Sequence, residues 1–342
     1  MTSSAAGPWD AAELNRGIFT LSFDFELIWG TLDKAGPDTF AYACAAERDE
    51  IIEKLLAMLD DLGIPATWCV LGHIMLRSCR PHDGLKHPEI VRPRHSWHPD
   101  DWFIDDPCGN EQSHPNFYGA SLVEQIRACR VPQEIGCHSF SHPIFGDPGC
   151  SRETARSEVA ACTRIAAAQN IHMHSFAFPR NRVGHLDVLR DHGFLCFRGP
   201  EPNWYERPRI PPALKRAAHL TDVVFARRPP VTLPYRVGEL WNVPGSMIYL
   251  PAHGGRRFIP VRSRVRRAIK GLEGAASERK LFHLWLHPTN LADRLPNMLA
   301  GLRAVLTHAA ELRDCGQLTI APMGTVPELV VSRPDARPAV LR

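Results

Sequence analysis

Glu134-Ile135-Gly136-Cys137-His138-Ser139-Phe140-Ser141-His142-Pro143 runs from a short apolar stretch into two histidines four residues apart. Ile135 ahead and Pro143 behind read as a strand that ends in a turn or in the start of a helix. Neutral imidazole is the commonest protein ligand for a first-row divalent metal, and an i, i+4 pair on one helical turn faces one way. His138 and His142 are therefore candidate ligands. Seventeen histidines in 342 residues also produce such pairs by chance, so the pair gains meaning only from what lies at other strand ends.

Working outward, short β-rich runs alternate with helical periodicity along most of the chain. Residues 18–25 are a strand ending at Asp24 and Glu26, two carboxylates that share one face because strand side chains alternate with period two. A helix over 48–62, closed by Gly63, leads to a strand at 66–71. Past 134–137 the pattern predicts a helix over 151–170 with Ser151 as N-cap, a strand at 175–179, a helix over 186–192 and a strand at 194–197. Near the end come a strand at 281–286, a helix over 291–314 and a strand at 318–321. Such alternation implies a parallel sheet. Asp24 and Glu26, His138 and His142, Pro179 and Arg180, and His287 then fall at or just past strand C-terminal ends, which in a parallel α/β barrel form the active-site face.

Two stretches resist this reading. From His73 to about Tyr118 the sequence is crowded with Pro, His, Asp and Trp, and irregular segments longer than about 12–15 residues are functional or disordered. The aromatic content favours an ordered insertion, residues 82–118, over the barrel mouth, with Trp97 and Trp102 on substrate. Residues 199–250 are rich in proline and show no persistent period.

Composition narrows the class. A hydrophobic share of 44%, a charged share of 23% and a net charge of +3 describe an ordinary globular chain and not a nucleic-acid binder. No run approaches the roughly 18 apolar residues of a membrane span, and the first residues lack an apolar signal core; the expectation is a cytoplasmic protein with reduced thiols, since its ten cysteines include no C-x-x-C pair.

The chain resembles the polysaccharide deacetylase family, also called carbohydrate esterase family 4. That family's Thr-Phe-Asp-Asp-Gly motif is matched by Ser22-Phe23-Asp24-Phe25-Glu26, its His-Ser/Thr-x-x-His motif by His138 to His142, and its late Leu-x-His motif by Leu284-Trp285-Leu286-His287. The resemblance implies one domain over residues 1–330, a distorted (β/α) barrel of about seven strands, followed by a tail at 331–342. It also implies a divalent ion, Zn²⁺ by first choice, on His138, His142 and a carboxylate, with Asp24 as general base and His287 as general acid. The family's second aspartate is here Phe25, so Glu26 is expected to take the ligand position. The third motif is altered to Phe178-Pro179-Arg180-Asn181; the backbone N–H of Arg180 stands where the family has an oxyanion donor, and its side chain is a candidate to hold Asp24. Arg198 is expected to orient a carboxylate or touch substrate, Trp204 to stack on a sugar, and Trp285 to wall the acyl pocket.

The basic run from Arg256 to Lys270 reads as a solvated face or as a contact for phosphate, since planar guanidinium groups suit phosphate oxygens. The expected reaction is removal of an N-acyl group, N-acetyl first, from an amino sugar or a nucleotide- or lipid-phosphate-linked sugar precursor of surface glycans. Partners expected besides that substrate are a membrane surface at most, and no nucleic acid. The rivals are a related C–N hydrolase of a small cyclic amide or formyl group, and a catalytically inactive carbohydrate-binding barrel.

Overall fold

The computed structural model describes residues 12–203, 205 and 210–332. Its strands are β1 (Ala12–Leu14), β2 (Gly17–Phe25), β3 (Thr67–Val70), β4 (Ser78–Cys79), β5 (Gly109–Asn110), β6 (Glu134–Cys137) and β7 (Ser175–Ala177). They continue as β8 (Cys196–Arg198), β9 (Tyr235–Val237), β10 (Leu240–Asn242), β11 (Met247–Ile248), β12 (Leu281–Leu286), β13 (Leu318–Ile320) and β14 (Val330–Ser332). Nine of them curl into a half-barrel in the order β11-β12-β2-β3-β6-β7-β8-β10-β9, and β13 pairs with β2 as a tenth. Every pairing in this sheet is parallel except β9 with β10. All seven strands expected from the sequence are present. The surplus comes from 199–250, where β9, β10 and β11 are too short to leave a periodic signal.

β2 is the keel. All nine of its residues are buried, and period two splits them into two files. Phe19, Leu21, Phe23 and Phe25 join the main hydrophobic core, with Phe23 stacked on Trp68 at a ring separation of 4.2 Å. The other file, Thr20, Ser22 and Asp24, is polar and still buried, and Glu26 continues it just past the strand's end. A strand that carries polar groups on a buried face calls for partners; Ser22 and Asp24 find theirs in His283 and Arg198, and these groups build the site.

Among the elements outside the sheet, the helix Arg152–Ala168 is capped by Ser151, whose side chain accepts from the Thr154 N–H. The insertion is held by the two-residue ribbon of β4 and β5. It reaches the strand-C-terminal face, where the Trp102 indole donates to the carbonyl and hydroxyl of Ser141, both at 3.0 Å. The basic run keeps its reading as a solvated face at Arg256, Arg257, Arg262, Arg266 and Lys270, all exposed, and departs from it at two residues. Arg264 and Arg267 are buried in the helix Val261–Glu278; Arg264 donates to the carbonyls of Leu250, Pro251, Arg256 and Ile259, Arg267 to Arg227 and Lys270 to Ala226. These three cations stitch loops.

Candidate metal centre and active site

Four side chains converge at the mouth of the half-barrel. Glu26 Oε2 lies 3.1 Å from His138 Nε2 and 3.2 Å from His142 Nε2, and its Oε1 lies 3.3 Å from His287 Nε2. The histidine pair is not helical, contrary to one of the two readings of its spacing. Ser139 and His142 both take positive φ, 63° and 68°, in a loop that folds the two imidazoles toward each other. The loop is held from behind by Glu158, which accepts the backbone N–H groups of Phe140 and Ser141, each at 2.8 Å, and the Ser141 hydroxyl at 2.5 Å. Burial pushes the Glu158 carboxyl up to about 7, against the hydrogen bonds from Ser141 and Phe140 that hold it down. Sixteen residues beyond His142 on a helix, Glu158 carries no sequence signal except a carboxylate on an otherwise apolar face.

The donor set fits a divalent ion. His138 Nδ1 lies 2.9 Å from the Ala177 carbonyl, which fixes the N–H there and leaves the Nε2 lone pair aimed at Glu26, the arrangement common to metal-binding histidines. Burial keeps the His142 imidazole below its ordinary value. Burial alone would raise the Glu26 carboxyl, but His287 and His142 outweigh it and hold it well below the usual range. The spacings of 3.1 and 3.2 Å are close to the edges of about 3.3 Å that zinc–nitrogen and zinc–oxygen bonds of 2.0–2.2 Å make in a tetrahedron. Gly30 protects this geometry, because a Cβ there would fall on the Glu26 carboxylate.

Asp24 is treated differently by the fold. Arg198 grips both its oxygens, at 2.7 and 2.6 Å, and also donates to Ser22 Oγ at 3.1 Å and Asn181 Oδ1 at 3.3 Å. Burial opposes ionisation of Asp24, yet the Arg198 charge overcomes it and the carboxyl stays below its usual value. Arg198 is itself buried, with its guanidinium 4.3 Å above the Trp285 ring, and the Trp285 indole donates to Glu201 at 3.0 Å. Of the two uses expected for Arg198, it orients a carboxylate; at 1% exposure it is not a substrate contact. Trp285, at 7% exposure, is the shelf under Arg198 and not an open pocket wall. His283, which had no expected role, lies 2.8 Å from Ser22 Oγ and 3.2 Å from the Val243 carbonyl. Burial and the nearby Arg198 push its pKa down to about 3, so it braces the polar file in its neutral form.

Arg180 corrects another expectation. Its side chain does not hold Asp24; it pairs with Asp33 and donates to the Gly30 carbonyl at 2.9 Å. Its backbone sits at φ 55° just past β7. His287, 25% exposed in its side chain, also comes within 3.8 Å of Asp24, and it lines a cleft with Glu26, Tyr42, Arg180 and Arg256. Trp97 is exposed and stacks on His95. Trp204 lies outside the described residues.

The profile of the polysaccharide deacetylase family matches residues 28–194. Over that stretch, just under half of its length, the chain is similar to the polysaccharide deacetylase family. Its members are hydrolases that act on C–N bonds, and the half-barrel described above is their fold. No curated protein matches by sequence. Among solved structures, a Mycobacterium smegmatis protein described as a polysaccharide deacetylase aligns with a TM-score of 0.58 at 16% identity over 99% of both chains. The PuuE allantoinase aligns with a TM-score of 0.57 at 11% identity over 95% of this chain and 94% of that one. A Pseudomonas aeruginosa PAO1 protein also described as a polysaccharide deacetylase gives 0.55 at 10% identity, over 91% and 90%. At these identities the likeness is one of fold. In this chain the carboxylate between the two histidines is Glu26, two residues beyond Asp24, and Phe25 joins the core.

Proposed function

We propose that this chain is a metal-dependent hydrolase that removes an N-acyl group, N-acetyl by first choice, from an amino sugar or a phosphate-linked sugar precursor of surface glycans. The observation that carries the reading is the division of labour between the two carboxylates: Glu26 faces His138, His142 and His287, while Asp24 is locked by Arg198 beside them. Glu26, His138 and His142 would hold the ion, with Zn²⁺ the first choice; when bound, it would polarise an amide carbonyl and lower the pKa of a water. Asp24, kept ionised by Arg198, takes the proton of the attacking water. His287, beside both carboxylates, is assigned to protonate the departing amine. The backbone N–H of Arg180, just past β7, is assigned to meet the developing oxyanion.

Substrate class follows from the cleft rim. Arg256 lines the cleft beside Arg180, and the exposed guanidinium of Arg256 suits a sugar carrying a phosphate or diphosphate. The insertion, residues 82–118, is assigned the role of covering the mouth and selecting substrate, with Trp97 its exposed aromatic contact. Among the described residues no helix is long and apolar enough to cross a membrane.

The test is metal analysis of the purified chain and of its His138→Ala and His142→Ala variants, followed by acetate and formate release over nucleotide-linked N-acyl sugars, a lipid-linked precursor and a cyclic amide. The reading expects loss of the mouth ion in both variants and acetate release from a phosphate-linked sugar. Turnover of the cyclic amide alone would move the chain to small-amide hydrolysis. No turnover with intact sugar affinity would make it a binding barrel.

A further inference from the structure

A second group of metal-ligating side chains lies away from the mouth, inside the irregular segment between β3 and the helix Ala120–Arg127. His73, Cys79, His87 and Asp106 bring one donor atom each to within 4.8 Å of all the others. His73, His87 and Asp106 are buried at 0%, 5% and 1% exposure. His73 Nε2 lies 3.3 Å and His87 Nε2 2.9 Å from the same atom, Asp106 Oδ2. Cys79 Sγ lies 3.8 Å from His73 Nε2 and 3.8 Å from Asp106 Oδ2. A tetrahedron built with zinc–nitrogen and zinc–oxygen bonds near 2.1 Å and a zinc–sulfur bond near 2.3 Å has edges of about 3.4–3.6 Å, which lie inside the span of these separations, 2.9 to 3.8 Å.

The surroundings aim the donors inward. His73 Nδ1 faces the Phe117 carbonyl at 3.3 Å, and the second oxygen of Asp106 accepts the Cys108 backbone N–H at 2.9 Å. Tyr118 Oη lies 3.0 Å from Cys79 Sγ. His73 therefore has an acceptor opposite each ring nitrogen, a carbonyl at Nδ1 and a carboxylate at Nε2. Cys79 Sγ faces the same Nε2, and His87 Nε2 faces the same carboxylate oxygen, so the four donor atoms point at one centre. With a divalent ion in the middle, neutral His73 keeps its Nδ1–H on Phe117 and turns its Nε2 lone pair to the metal. Two neutral imidazoles, one thiolate and one carboxylate also cancel the charge of a divalent ion, which a buried site requires.

We propose that His73, Cys79, His87 and Asp106 form a structural zinc site that pins the insertion to the C-terminal end of β3. Four protein donors leave no open position, the mark of a structural and not a catalytic site. The ligands span the fold's seam: His73 stands on the turn that follows β3, Cys79 on the β4–β5 ribbon, and His87 and Asp106 within the insertion proper. The ion thus crosslinks the segment that carries Trp97 and Trp102.

Cobalt substitution in the full-length protein tests this. The mouth donors Glu26, His138 and His142 include no sulfur, so only the second site can give a thiolate-to-Co²⁺ charge-transfer absorption. The expected result is that metal-free protein refilled with Co²⁺ shows this band, that Cys79→Ser and Asp106→Asn each abolish or shift it, and that the His138→Ala variant retains it together with one equivalent of zinc. Loss of the mouth reading alone would remove the sulfur-free equivalent and leave the band. Wild-type protein that takes up Co²⁺ with no thiolate band, or a band that survives unchanged in Cys79→Ser, overturns the proposal and leaves a metal-free hydrogen-bond network. The wild-type spectrum decides even if a variant fails to fold.

Discussion

The two histidine–carboxylate clusters of this molecule are alike in composition and opposite in construction. At the mouth, Glu26 and His138 are 112 positions apart and meet because β2, β3 and β6 stand side by side. Around Asp106, every donor comes from a single irregular segment between His73 and Asp106, and no sheet register aligns them. The mouth is open, with His287 a quarter exposed and a cleft at its side; the other cluster is shut. A sheet delivers reactive groups to one face and leaves room there for substrate, whereas a loop closing on itself consumes every coordination position. The difference teaches that donor identity does not separate catalysis from scaffolding, and that the element supplying each donor does.

The largest effects should break the mouth while sparing the loop cluster. Asp24→Asn is expected to keep the mouth ion and lose turnover by about 10²–10⁴-fold, the range for removal of a general base. Glu26→Gln should instead weaken metal binding, with activity partly restored by excess metal. Loss of the ion in Asp24→Asn with retention in Glu26→Gln, measured by metal content, would reverse the two roles. Neither change should alter the thiolate–Co²⁺ absorption.

Gly30→Ala is the next step down. Alanine would favour the short helix around it, but its Cβ must displace the Glu26 carboxylate. Mouth affinity for Zn²⁺ should fall by about tenfold or more, equivalent to about 1.4 kcal/mol, at unchanged loop-site occupancy. Unchanged mouth affinity in a competitive chelator titration would mean that Glu26 is not a ligand.

A pH experiment sharpens the comparison through Glu158, which holds the loop that carries His138 and His142. Its carboxyl is raised to about 7 in the fold from about 4.3 in an unfolded chain. The folded state therefore binds the extra proton, and the associated stability is complete below about pH 4 and is lost as pH rises through about 7, a change on the order of 3 kcal/mol. Glu158→Gln keeps acceptors for the Phe140 and Ser141 N–H groups while removing the titration. Denaturant midpoints between pH 5 and 8 should fall more steeply in the wild type than in the variant; parallel profiles would refute the assignment. The smallest expected effect is Trp102→Phe, which deletes the indole bond to Ser141 at a cost of about 0.5–1.5 kcal/mol. Here KM should rise with little change in kcat or in metal content, and an unaltered KM would detach the insertion from substrate selection.

How much of this was legible follows the same division. The strands that carry the mouth are long or strongly apolar enough to announce themselves; those at 134–137 and 281–286 are found to the residue. Asp24, Glu26, His138, His142 and His287 could be assembled from strand ends and a resemblance. Their supports could not. Glu158, Asn181 and His283 act through tertiary contacts that leave no spacing rule, and Arg264 hides in a basic run whose charges look exposed until the carbonyls around it are seen. The second cluster was missed because the intervals between His73, Cys79, His87 and Asp106 are irregular, and because loop closure, not a repeat of any period, brings them together. Residues 47–51 form a π-helical turn inside the helix expected over 48–62, a local widening that hydrophobic period alone does not report.

The pairing of β2 also sets the order in which the molecule can be made. β2 leaves the ribosome early, yet one edge waits for β12, whose His283 bonds to Ser22 across 261 positions, and the lower part of its other edge waits for β13. Contacts of such separation form late, after the loop-closure entropy of nearly the whole chain has been met. Until then a nine-residue strand with no charge before Asp24 stands unpaired on one side, the kind of edge that invites association between nascent chains. Synthesis halted before Leu281 should therefore yield a product that aggregates, and it would also lack His287. β12 and β13, made long after β2, complete the keel and the mouth together.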